Sequence, residues 1–216
     1  TYICAYAFDV AERSADKGER GRAARRGDLL TPVVKGWCTE NAQSLASLGV
    51  QVHGGMGFVE ETGAAQYIRD ARILPIYEGT NGIQALDLLS RKTLRDGGKA
   101  TSELIVDMKV TASKIKDDRL ENILEALKSS IKDLEIVLAW IQTSSENLNL
   151  CKSAATNYLH LLGITCGGWV LADSALLAVE QLNQKSSEEI FYGSKIVSAN
   201  YFALHTMPET RSLKEK

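Results

Sequence analysis

Proline is scarce in this chain, three in 216 residues, so helices are interrupted mainly by glycine and polar turn residues. Alternating apolar and polar runs rich in β-branched side chains are scarce too, while apolar residues recur at helical spacing almost throughout. That pattern excludes a sheet-based fold and predicts an all-α protein. The four cysteines, Cys4, Cys38, Cys151 and Cys166, form no CxxC pair and sit mostly in apolar helical patterns. A disulfide framework is excluded, and reduced core thiols in a cytoplasmic protein are expected. His53, His160 and His205 lie far apart and make no HxxxH or His/Cys cluster, so no protein-bound metal is expected. Neither sign of charge dominates: the formal net charge is -2, which argues against a generally nucleic-acid-seeking surface. No signal peptide and no uninterrupted apolar run of about 18 residues is evident, so neither export nor a membrane span is expected. An initial methionine is missing as well. The amphipathic pattern of Tyr2, Ile3, Tyr6, Ala7 and Val10 starts at once, as if a helix were entered partway along, and reads as a piece of a longer protein.

What remains is helix upon helix, in a length that suits one or two domains with a real apolar core. A first helix is predicted to end near Lys17, because Gly18, Gly21 and Gly27 surround the charged stretch Glu19 to Arg26, which reads as a solvated loop. Thr31 before Pro32 predicts an N-cap opening a long helix through Trp37, Leu45 and Leu48 toward His53, ended by Gly54-Gly55. A shorter helix is expected over 62–71. Thr80 caps another that carries Ile83, Leu86, Leu89 and Leu94 and stops at Gly97-Gly98. Beyond Gly98 come long amphipathic helices over about 101–116, 119–144, 149–183 and 187–206. Ile131, Leu134, Val137, Leu138 and Ile141 there are ordinary bundle core. Gly163, Gly167 and Gly168 fall inside the third of these helices and predict close helix crossing, with a kink as the alternative.

Two compact segments carry the candidate chemistry. Gln51-Val52-His53-Gly54-Gly55-Met56-Gly57-Phe58 combines glycines with polar side chains, so its backbone N–H groups can approach an anionic ligand; a helix-ending turn accounts for it equally simply. It matches neither GxGxxG after a strand nor GxxxxGK[ST]. Ile76-Tyr77-Glu78-Gly79-Thr80-Asn81-Gly82-Ile83-Gln84 sets a carboxylate between an apolar flank and a helix start. Apolar flanks raise a carboxyl pKa and a helix N-terminus lowers it, so Glu78 suits a tunable base and, just as well, a residue that complements the helix dipole.

Taken together, Gln51 to Phe58, Ile68-Arg69-Asp70-Ala71-Arg72-Ile73 and Ile76 to Thr80, at this separation, resemble the C-terminal domain of the acyl-CoA dehydrogenases. The resemblance covers roughly residues 1 to 96. Glu78 to Asp87 followed by a helical extension is similar to the family's larger bacterial branch. The implied architecture is a four-helix bundle over 1–97 and a second helical unit over 98–216.

The resemblance implies an FAD enzyme that converts an acyl-CoA thioester to a trans-2-enoyl-CoA. Glu78 takes the pro-R α-proton while the β-hydrogen leaves as hydride to the flavin. It implies that Gly79 lies against substrate, that Gln51, Val52, His53, Gly54 and Gly55 reach the FAD of a neighbouring subunit, and that Thr80, Asn81 and Gly82 face the cofactor's ADP portion. A homo-oligomer, dimer or tetramer, follows, with an electron-transfer flavoprotein as electron acceptor. Family members commonly have a basic residue twelve positions after the base, where this chain has Ser90. Arg91 stands beside it, displaced by about 100° on a helix. Glu78 at the base position implies straight-chain or methylthio-acyl substrates over branched ones. The implied barrel and N-terminal bundle lie outside this chain, which alone is expected to be inactive. Two other readings stand beside this one: an acyl-CoA oxidase, and a DNA-associated or assembly protein on the same scaffold with Arg20, Arg22, Arg25 and Arg26 as a basic patch.

Overall fold

A computed structural model describes residues 1–215, and among them every regular element is helical. The chain divides into two compact units, Thr1–Lys92 and Thr93–Lys216.

In the first unit α1 (Tyr2–Arg13) leads into α2 (Lys17–His53), a 37-residue spine against which α4 (Ala64–Arg72) and α5 (Asn81–Asp87) also pack. The single-turn α3 (Gly55–Phe58) follows α2 directly. Two expectations fail here. The arginine-rich stretch is helix, not loop, because Asp16 rather than Thr31 is the N-cap: its carboxylate accepts from the Gly18 and Glu19 amides at 2.6 and 3.0 Å. Pro32 lies inside α2, and the Thr31 hydroxyl donates back to the Gly27 carbonyl at 2.8 Å instead of capping forward. Five glycines and a proline within α2 cost the helix several kcal/mol by propensity, on the order of 1 and 3 each. Burial of Leu29, Leu30 and Val33 against neighbouring helices offsets it. The basic patch consequently loses its character as a free loop. Arg20 donates to the Ser14 carbonyl at 2.8 Å, and Arg22, Arg25 and Arg26 also have partners within the protein.

After α5 the helix widens into a π-helical stretch, Leu88–Leu94. The wider turn changes the angle between Ser90 and Arg91 from the α-helical value, and Arg91 is engaged by Asp87 at 3.0 Å.

The second unit is built around α9 (Ala155–Asn183), which packs against α6 (Lys99–Lys114), α7 (Glu121–Thr143), α10 (Glu189–His205) and α11 (Glu209–Glu215). The expected core of α7 is buried throughout: Ile131, Leu134, Val137, Leu138 and Ile141. By length and composition alone, interruptions allowed, α9 is long and apolar enough to cross a membrane. However, 56% of its most apolar window is buried inside the protein, as a core helix requires. It runs without a break past Gly163, Gly167 and Gly168. A Cβ at Gly168 would stand 2.4 Å from Met207 Cε, so this glycine leaves room for a methionine side chain from the turn between α10 and α11.

Two boundaries differ from the periodic pattern. The helix expected from 149 is split into α8 (Leu148–Ser153) and α9, where the Ser153 hydroxyl donates to the Leu150 carbonyl at 2.7 Å and competes with the backbone ladder. The short α11 was not expected. It is held by tertiary bonds: Lys214 Nζ donates to Asp133 Oδ1 at 2.8 Å and the Thr210 hydroxyl to Asp133 Oδ2 at 2.9 Å. Deep in the same unit the Tyr158 hydroxyl is hydrogen-bonded with Thr93 and Thr101 at 3.1 and 2.9 Å, and burial pushes its pKa up to about 12.

At the entrance to α7, Asp117 accepts from the Arg119 side chain at 2.8 and 2.7 Å and from the Arg119 amide at 3.0 Å. These bonds, the side-chain ones foremost, hold its carboxyl at a pKa of about 2, below the ordinary 3.8. A depressed folded-state pKa stabilises the fold above the unfolded value and ceases to do so as pH falls through the folded one. Asp117→Asn is therefore expected to lower stability at pH 7 by about 1 kcal/mol or less, since solvent screens the pair. Urea midpoints of wild type and variant should converge as pH falls from about 4 toward 2; a pH-independent gap would contradict the assignment.

Candidate functional site

Pro75 ends the α4 segment, and the chain turns back on itself before α5. The Asn81 amide donates to the Pro75 carbonyl at 3.1 Å, closing the loop that carries Glu78. Glu78 adopts φ +53°, the left-handed region, and Gly79 follows at φ +82°. For glycine that conformation is free, whereas for glutamate it costs about 1–2 kcal/mol, so surrounding bonds must impose it.

Two such bonds hold the carbonyls that follow the Glu78 Cα. Gln84 Nε2 donates to the Glu78 carbonyl at 3.2 Å, and Lys35 Nζ donates to the Gly79 carbonyl at 2.7 Å. Thr80 caps α5 as expected, its hydroxyl accepting from the Ile83 amide at 3.3 Å. The Asn81 side chain turns inward onto α2. Its oxygen accepts from Lys35 Nζ at 3.0 Å and the Thr39 hydroxyl at 3.1 Å, and its amide donates to the Gly36 carbonyl at 3.1 Å and Glu40 Oε2 at 2.8 Å. These four bonds use both lone pairs and both hydrogens of the amide.

Glu78 itself is exposed, on a loop whose apolar neighbours Ile76, Tyr77 and Ile83 are also about half exposed. Gly82 lies exposed in the first turn of α5.

The other predicted segment sits at the far end of α2. Gln51, Val52 and His53 form its last turn, with Val52 87% exposed. Gly54 caps it at φ +62°, and Gly55 begins α3. Gly57 is buried where a Cβ would lie 2.4 Å from the Val50 carbonyl oxygen, so this turn admits no side chain. Along α2, Gln51 is roughly 16 Å beyond Glu40 at 1.5 Å per residue. The structure thus unites Glu78, Gly79, Thr80 and Asn81 at the middle of α2 and keeps Gln51 to Gly55 apart from them.

The residues not anticipated are Lys35, Thr39 and Glu40. The signal available for them was a polar pair at i and i+4, Lys35 and Thr39, within the otherwise apolar run of Pro32, Val33, Val34 and Trp37. Its partner lay more than forty residues away, beyond the reach of local spacing.

Residues 104–216, more than half of the chain, match the family described as acetyl-CoA dehydrogenase C-terminal like, and residues 4–93 match acyl-CoA dehydrogenase, C-terminal domain. The chain is 41% identical over 208 residues to the 3-methylmercaptopropionyl-CoA dehydrogenase of Ruegeria pomeroyi, covering 94% of this chain and 34% of that protein. It is 32% identical over 203 residues to a broad-specificity linear acyl-CoA dehydrogenase of Mycobacterium tuberculosis, covering 89% and 33%. It spans about a third of the length of these curated relatives. The crystal structure of an acyl-CoA dehydrogenase complexed with FAD from Bacillus anthracis superposes with a TM-score of 0.70 at 18% identity, over 99% of this chain and 38% of that one; it shares the fold. This chain belongs to the acyl-CoA dehydrogenase family and spans the C-terminal helical domain together with the helical unit that follows it.

Proposed function

We propose that the protein to which this chain belongs dehydrogenates acyl-CoA thioesters between Cα and Cβ, with Glu78 as the base that removes the α-proton. The observation that carries this reading is the restrained left-handed backbone of Glu78. A glutamate whose own carbonyl and the next one, that of Gly79, are both held by side chains has a restricted direction, which helix capping does not require because Thr80 already caps α5. The exposed apolar side chains of Ile76, Tyr77 and Ile83 suit an acyl chain, and once covered they lower the local dielectric around the carboxylate.

Residues of this chain fit FAD at two places. The exposed Gln51 and His53 side chains, beside Gly54 and Gly55 with open space where a side chain would stand, suit a pyrophosphate, and the exposed Thr80 offers a hydroxyl. The Asn81 side chain, fully used on α2, supports the loop and leaves cofactor contact at that residue to its backbone. Bound FAD supplies the acceptor for the β-hydrogen, which leaves as hydride. Glu78 takes the α-proton, the Cα–Cβ double bond forms, and a trans-2-enoyl-CoA results. The Glu78 backbone N–H polarises the thioester carbonyl, which makes the α-proton acidic enough for a carboxylate.

The separation of Gln51 to Gly55 from Glu78 along α2 supports a neighbouring subunit's cofactor as their ligand, hence a homo-oligomer, with an electron-transfer flavoprotein receiving the electrons. The relatives' printed names support a straight-chain or methylthio-acyl substrate.

Anaerobic titration of the full-length protein with a panel of acyl-CoAs tests this reading. Bleaching of the flavin absorbance is expected, with release of the enoyl product. A full-length protein without bound flavin, or one that no acyl-CoA bleaches, would overturn it.

A further inference from the structure

We infer that Lys35 is a positioning residue for the Glu78 carboxylate, its ammonium fixing the Gly79 carbonyl and the Asn81 side chain and so holding the left-handed backbone that aims the base. This rests on Glu78 being that base.

Lys35 projects from the middle of α2, whose backbone ladder makes it a fixed reference point, and it is half-buried. An ammonium has three hydrogens to donate. Two are spent on the loop, one on the Gly79 carbonyl at 2.7 Å and one on Asn81 Oδ1 at 3.0 Å. The first bond sets the peptide plane directly after Glu78-Gly79. The second joins the loop to a wider clamp, because Asn81 is bound in turn to Thr39, Gly36 and Glu40. Gln84 restrains the Glu78 carbonyl, one peptide closer to the strained residue. Without Lys35, the carbonyl after the strained residue and the Asn81 oxygen each lose a donor. The backbone at Glu78 can then relax toward negative φ, which swings the side chain away from its aim.

Proton transfer depends steeply on where the base stands, and a displacement of about 1 Å costs on the order of 10²-fold in rate. A tether that merely stabilised the fold would alter binding and rate together. One that aims the base slows proton removal selectively.

The test uses the full-length protein and its Lys35→Met, Lys35→Arg and Glu78→Gln variants, with a saturating acyl-CoA and its α-deuterated form. In Lys35→Met, flavin content and the acyl-CoA dissociation constant are expected to change less than about twofold. Flavin bleaching is expected to slow about tenfold to a hundredfold, with an increased α-deuterium isotope effect as proton removal becomes limiting. Lys35→Arg, which keeps the charge with different reach, should restore part of the rate and bring the isotope effect back toward wild type. Wild-type rate and isotope effect in Lys35→Met would overturn the proposal. So would equal loss of binding and rate with an unchanged isotope effect. Should Lys35→Met not fold, Lys35→Arg decides: a rate lowered a few-fold with a raised isotope effect supports positioning, and an unchanged isotope effect overturns it. If Glu78→Gln bleaches as fast as wild type, the assignment of the base fails instead, and the role of Lys35 fails with it.

Discussion

Glu78→Gln is expected to slow flavin bleaching by acyl-CoA about 10²- to 10⁴-fold while leaving acyl-CoA affinity within a few-fold of wild type. That range is what a positioned proton acceptor contributes. The substitution is close to isosteric, and the Glu78 carbonyl and Gly79 carbonyl that Gln84 and Lys35 hold are untouched by it. The loop should keep its left-handed turn, and the loss reports the missing carboxylate rather than a misplaced one. A variant that bleaches at the wild-type rate would exclude Glu78 as the base. The pair Glu78→Gln and Lys35→Met then separates presence of the base from its placement: the first should slow bleaching more than the second.

Leu134→Ala is expected to destabilise the second unit by about 2–5 kcal/mol, the range for truncating a fully buried leucine where neighbours close only part of the cavity. Leu134 is 0% exposed at the centre of α7, the helix that also presents Ile131, Leu138 and Ile141 to the core and carries Asp133, the anchor of α11. Urea unfolding followed by far-ultraviolet circular dichroism should show a lower midpoint for one transition. Leu148, 42% exposed and outside that core, serves as the comparison: its truncation should change stability by no more than about 0.5 kcal/mol. Equal effects of the two substitutions would contradict the core assignment. Losses of this size matter because domains are stable by only about 5–15 kcal/mol.

The helical class was legible because it depends on a pattern repeated many times over. Apolar residues at i, i+3, i+4 and i+7 mark a buried face whatever that face packs against, and the α7 core was readable one residue at a time. Thr80 was legible as a cap because capping is local, involving an oxygen and an amide three residues apart. The breaks at Gly54 and at Gly97-Gly98 were legible for the same reason.

Propensity misled where packing outweighed it. Gly18, Gly21, Gly27 and Pro32 argue against helix one residue at a time, yet α2 passes through all four, because Asp16 caps it and its buried face meets neighbouring helices. The break at Ala154 and the short α11 depend on one serine hydroxyl and one buried aspartate, neither of which leaves a periodic trace.

At the candidate site the division falls between identity and geometry. The sequence by itself determined that the chain is helical, that it carries the segments of the acyl-CoA dehydrogenase C-terminal domain, and that Glu78 lies beside a glycine and a capped helix start, since all of these are encoded in residues near one another along the chain. Only the tertiary structure decided that Glu78 is held at positive φ and that Asn81 is spent on α2. It alone brought Lys35, more than forty residues earlier, within hydrogen-bond reach of the loop that carries Glu78. The physical reason is range. Periodicity and capping act over about four residues, whereas a clamp between a loop and a distant helix exists only once both have folded.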